Sequence, residues 1–109
     1  MSSGEFNSNS RLNEAEKLLY KYTDRRPIII SNKISNNELK YIVPINLTII
    51  QLLYIIKKKE ELNENEAFYL FTEDKSLVTS SSTIGQIYEN YKNKDNFLYL
   101  DLHKESVFG

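Results

Sequence analysis

At 109 residues, 40% apolar and 27% charged, the chain has the size and mixture of one ordinary domain around one modest core. A formal net charge of -1 supplies no global field toward nucleic acid or anionic lipid. The lack of cysteine excludes disulfides, a thiol nucleophile and cysteine metal sites; a single histidine, His103, cannot build a metal cluster; and no run approaches the ~18 apolar residues of a membrane span.

Residues 1–10 are mostly Ser, Asn and Gly with one Phe and read as a disordered leader, so the folded domain is placed at 11–109. There is no apolar core of a signal peptide near the start. From Leu12 to Tyr22 the apolar positions Leu12, Ala15, Leu18, Leu19 and Tyr22 fall at helical spacing, with Asn13 and Glu16 as a capping pair. Pro27-Ile28-Ile29-Ile30 predicts a strand, and Lys40-Tyr41-Ile42-Val43 a second that closes a hairpin; Tyr41 and Val43 face one way, Lys40 and Ile42 the other. Thr48-Ile49-Ile50-Gln51 is a capping box. It opens a helix with Ile49, Leu52, Leu53 and Ile56 on one face and Lys57-Lys58-Lys59 in its last turns. Followed by Glu60-Glu61 and without interleaved aromatics, the lysines read as a solvated helix end and not as a nucleic-acid patch.

Ala67 to Phe71 is short and aromatic and predicts a buried strand, with a brief edge strand at Leu77-Val78. Thr83-Ile84-Gly85-Gln86 repeats the capping-box spacing and starts a short helix bearing Ile84, Ile87, Tyr88 and Tyr91 on one side. Phe97 to Leu102 is the last strand, and 103–109 a polar tail ending in Phe108-Gly109, with His103 a surface residue leading into it. The order is α+β, and a hairpin crossed by one long helix before further strands is the β-grasp order.

The chain resembles the autophagy-related protein eight family of ubiquitin-like modifiers, the group of GABARAP and the microtubule-associated light chain three proteins. The resemblance rests on Lys21-Tyr22-Thr23-Asp24-Arg25-Arg26-Pro27, Lys40-Tyr41-Ile42-Val43-Pro44, Leu47-Thr48, Ala67-Phe68-Tyr69-Leu70-Phe71, Gly85-Gln86-Ile87-Tyr88, Phe97-Leu98-Tyr99 and the Phe108-Gly109 ending. It runs in register from about Asn13 to Gly109. It departs in three places: the family's first N-terminal helix is absent or replaced by the polar leader; the loop between the first two strands is shorter and the basic run before Tyr41 shrinks to Glu38-Leu39-Lys40; and a proline pair near Lys75 to Val78 is missing.

The resemblance implies a ubiquitin-like β-grasp with an N-terminal helical extension and no catalytic group of its own. It implies conjugation of the Gly109 carboxyl to phosphatidylethanolamine by activating and conjugating enzymes, and release by a deconjugating cysteine protease. Glycine suits an end that must thread narrow enzyme sites, since it has no side chain. Phe108 is a recognition contact for those enzymes or a loosely packed tail aromatic. No cofactor is implied beyond the covalent lipid. The location implied is cytoplasmic, moving to autophagosomal membranes on lipidation.

It further implies binding of aromatic-x-x-aliphatic peptides of cargo receptors, as a strand added beside Lys40 to Pro44. By position, the aromatic pocket takes Glu14, Leu18, Pro27, Lys40, Ile42 and Phe97, and the aliphatic pocket Tyr41, Val43, Pro44, Leu47, Leu52 and Ile55. Arg25 and Lys40 are rim charges for acidic flanks. Ile42, Leu52 and Phe97 also read as ordinary core. Tyr69, Leu70 and Phe71 align with a second docking surface, although a buried strand explains them. Two other readings remain open: a modifier joined to protein rather than lipid, and a ubiquitin-like interaction module never conjugated.

Overall fold

The structure, a computed structural model, describes residues 3–105, with side chains from residue 10 onward. Phe108 and Gly109 lie outside the described residues. The first element is α1 (Ser3–Lys21), which corrects the disordered leader for residues 3–10 and moves Asn13 from a cap into the helix interior. The physical reason is propagation. Ala15 and Leu18 hold the helix against β1 and Phe97, and each further residue then adds one hydrogen bond. Asn and Ser oppose this by only about 0.7 kcal/mol each.

β1 (Arg25–Asn32) and β2 (Asn37–Pro44) form an antiparallel hairpin. Its turn is closed by buried Asn32, whose Oδ1 accepts from the N–H of Ile34 at 2.9 Å and of Ser35 at 3.2 Å. Asn36 supplies the left-handed residue that the turn needs (φ 57°). α2 (Ile49–Lys59) crosses the sheet, β3 (Phe68–Thr72) follows, and α3 (Ile84–Tyr91) precedes β4 (Leu98–Lys104). The sheet order is β2-β1-β4-β3, with β4 parallel to β1 and antiparallel to β3.

Helices cover both faces of the hairpin side. Ile28 and Ile30 of β1 join the main core with Leu52, Ile56, Ile84, Leu98 and Leu100 under α2 and α3. Ile29, between them, points to α1 and meets Ala15 and Phe97. A strand buried on both faces reads as a continuous apolar run, which is why β1 is Ile-Ile-Ile. Two expectations shift at the far edge. β3 is not buried throughout: Phe68 and Leu70 are, while Tyr69 is exposed and Phe71 half-buried. β4 runs through His103 and Lys104, paired with Tyr69 and Phe68, so the tail assigned to 103–109 starts two residues later. Leu77-Val78 makes one bridge to Phe71, and the Val78 N–H donates to the Leu70 carbonyl at 3.0 Å.

Candidate functional site: an open strand edge between two apolar faces

Among the described residues, β2 has a strand on one side only. Which backbone groups face outward follows from one bond. The Ile45 N–H donates to the Asp24 carbonyl at 3.0 Å, and antiparallel pairs alternate between bonded and non-bonded. In the observed register Val43 and Tyr41 therefore bond toward β1, while the N–H and C=O groups of Lys40 and Ile42 point out of the sheet. Both prolines fit this alternation. Pro27 sits opposite Ile42 in a non-bonded pair, so its missing N–H costs no bond to β2. Pro44 occupies an outward position near the end of the edge, where it withholds a donor and limits how far a partner strand can extend.

The side chains of Lys40 and Ile42 share the α1 side of the sheet. Lys40 Nζ donates to both oxygens of Glu14, at 3.0 and 3.1 Å, with both side chains about half exposed. Pro27 and Phe97 are buried there, Leu18 packs partly over Phe97, and Ile42 stays half-buried. Phe97, 1% exposed, is a floor for this face rather than an open wall. The structure thus brings the six residues of the aromatic set to one side of the edge.

On the opposite side, Tyr41 and Leu47 lie half-buried against the main core, with Ile55 also partly accessible, whereas Pro44, two residues past Ile42 in β2, falls by alternation on the α1 side and apart from the rest of the aliphatic set. Val43 and Leu52, at 5% and 0% exposure, are core. Leu52 has no surface to offer a guest, because the first turns of α2 press it into the sheet; its part is to support its neighbours. Lys59 Nζ lies 5.8 Å from the Tyr41 ring centre, a cation–π contact that covers one flank. Burial, and then the nearby charge of Glu60, raise the Tyr41 phenol above its ordinary pKa.

Arg25 is the register partner of Pro44, so the two rim cations, Arg25 and Lys40, stand toward opposite ends of the edge. Sequence reasoning missed the groups that fasten α1 beside this edge. Arg11 donates to Glu38 at 2.7 Å and to the Tyr99 hydroxyl at 3.0 Å, and that hydroxyl in turn donates to the buried Asp95 carboxylate. These partners are 27 and 88 residues from Arg11 and leave no local pattern; the one visible signal was the acid at Glu38 where the resemblance led one to expect a base.

A shallow depression of about 300 Å³ lies on the α1 side of β3 and β4, lined by Tyr69, Phe71, Lys75, His103 and Lys104. His103, read as a surface lead-in, stacks edge-on to Phe71 with centroids 5.3 Å apart. Beside it the chain leaves the sheet: the Glu105 N–H donates to the Ala67 carbonyl at 2.9 Å, and the Tyr69 hydroxyl donates to Glu105 Oε1 at 2.8 Å. Among the described residues no group of acids and histidine is placed to hold a metal ion, and no helix is long and apolar enough to cross a membrane.

The family model described as autophagy protein Atg8, ubiquitin like, matches residues 10–109. The chain belongs to the Atg8 family. It is similar to the Autophagy-related protein 8 of Neurospora crassa, 35% identical over 102 residues that span 88% of this chain and 83% of that one. The Aspergillus niger protein of the same name is as similar, over 85% of its length. The crystal structure of Trypanosoma brucei ATG8 superposes with a TM-score of 0.84 at 30% identity, covering 100% of this chain and 99% of that one. The mixed sheet crossed by α2 is therefore the ubiquitin-like fold of an autophagy modifier, and the Atg8-family chain is not an enzyme. Its work lies with the autophagy machinery.

Proposed function

We propose that this Atg8-family chain is joined through the Gly109 carboxyl to phosphatidylethanolamine, and that the β2 edge receives aromatic-x-x-aliphatic peptides of cargo receptors and adaptors. The observation that carries the peptide reading is the unpaired edge itself. The backbones of Lys40 and Ile42 face outward between a face that holds Leu18 and Ile42 and a face that holds Tyr41 and Leu47. An extended guest gains affinity from main-chain bonds and specificity from two pockets on alternate sides. Because the aromatic ground lies at Lys40–Ile42 and the aliphatic ground toward Pro44–Leu47, the guest runs parallel to β2.

For conjugation, a carboxylate at neutral pH is a poor electrophile. It attacks ATP to form an acyl-adenylate with release of pyrophosphate, a partner cysteine displaces AMP to form a thioester that passes to a second partner's cysteine, and the lipid amine displaces that thiol to form the amide. Two acyl chains then suffice for stable anchoring, at ~0.8 kcal/mol per buried CH₂. A deconjugating cysteine protease hydrolyses that amide, returning the free carboxylate and the lipid amine, so the chain cycles between cytoplasm and autophagosomal membrane.

Both halves are tested in one preparation. Incubation with activating and conjugating enzymes, ATP and phosphatidylethanolamine liposomes should give a membrane-bound product that Gly109→Ala abolishes. A product joined to protein, or none with enzymes active on a control modifier, rejects lipid conjugation. Titration of the same chain with an aromatic-x-x-aliphatic peptide should shift the amides of Lys40 and Ile42; shifts confined to other elements reject the edge.

A further inference from the structure

The charges along the β2 edge are ordered, and the order bears on which peptide fits. For a guest running parallel to β2, the residues before its aromatic pass Asn37 and Glu38, and the residues after its aliphatic pass Pro44 and Arg25. At the leading end Lys40 and Arg11 are already matched. Lys40 is bonded to both oxygens of Glu14, and Arg11 to Glu38 Oε1 at 2.7 Å. The side chain of Glu38 is still half exposed, at 49%. Glu38 shares the α1 side and the outward register of Lys40, so its carboxylate stands beside the path of the guest. Lys33 is exposed and lines a shallow depression with Asn36, Asn37 and Glu38. At the trailing end the balance is reversed, since among the described residues no carboxylate lies within ion-pair distance of Arg25.

Resting on the peptide reading above, we propose that Glu38 sets the charge polarity of the guest: Lys or Arg immediately before the aromatic, and Asp or Glu after the aliphatic. An acid before the aromatic must compete with Glu14 for Lys40 or with Glu38 for Arg11, and meets a half-exposed carboxylate. A base there adds a second partner to Glu38, which retains acceptor capacity beside its bond to Arg11. An acid after the aliphatic meets Arg25. Such rim charges select between partners and speed capture, more than they add raw affinity.

The test uses the full chain and two peptides with one aromatic-x-x-aliphatic core, one with Lys before and Glu after, the other with the two exchanged. At low ionic strength the first should bind about two- to fivefold tighter, the range of exposed ion pairs. Glu38→Gln should shrink the difference to what Arg25 supplies, Glu38→Gln combined with Arg25→Gln should erase it, and the gap should shrink as salt is raised. Equal affinities, preference for the acid-first peptide, or a difference unchanged in Glu38→Gln overturns the charge assignment while leaving the groove intact. If neither peptide shifts the amides of Lys40 and Ile42, the peptide reading falls and this one with it.

Discussion

Tyr99 links more of the molecule than any pattern around it suggests. Its hydroxyl accepts from Arg11 on α1 and donates to Asp95, whose other oxygen accepts the Phe97 N–H at 2.9 Å. Burial, then the bond to Asp95, push the phenol from 10.0 up to about 12. The folded state thus favours neutral Tyr99. Its contribution is complete below pH 10, the unfolded value, and is lost as pH rises toward about 12. Urea denaturation across pH 8–12 should show stability falling on the alkaline side, and Tyr99→Phe should have a shallower fall; identical slopes would remove Tyr99 from this role. At neutral pH the same variant should lose about 1–3 kcal/mol, because Asp95 keeps its buried carboxylate with one bond fewer.

At the scale of elements, the two Thr-x-x-Gln boxes were legible because each is a closed local circuit. The Thr48 and Thr83 hydroxyls accept from the Gln51 and Gln86 N–H at 3.3 Å, and each Gln side chain returns to accept from its cap's N–H. Asn13 with Glu16 has the same spacing but sits inside α1, where tertiary contacts to Phe97 carry the helix past it. The two caps also meet: Thr48 and Thr83 form a bridge, and Ile84 N–H donates to the Leu47 carbonyl at 2.8 Å. This clasp ties the segment between β2 and α2 to α3. Thr83→Ala should therefore cost about 1 kcal/mol in thermal or chemical unfolding, within the usual range for a lost cap, and no measurable loss would deny the box its role. The pocket residues divide along the same line. Strand alternation placed Lys40 and Ile42 apart from Tyr41 and Val43, and the core reading of Leu52 and Phe97 was legible too; which helix each of them meets depends on which face that helix covers, and spacing does not carry that.

Across the whole molecule, the sheet separates two unequal cores. The larger joins α2 and α3 to all four strands, and the smaller fastens α1 through Ala15, Ile29 and Phe97 with partial cover from Leu18 and Tyr99. A small interface supported by half-exposed ion pairs opens before a large dry one. Native-state hydrogen exchange should show the α1 amides opening at lower free energy than those of β1 and β4; a single shared opening energy would contradict this. Phe97→Ala should cost about 3–5 kcal/mol and lower α1 protection most.

The central position of β4 has a consequence for biosynthesis. The strand laid down last completes the middle of the sheet, parallel to the first strand made and alongside β3. Hairpin and crossing helix can emerge from a ribosome early, but Ile28 and Ile30 have no neighbour on that side until Leu98 to Leu102 leave the exit tunnel. The nascent chain thus cannot finish folding until the segment just ahead of its tail has been translated.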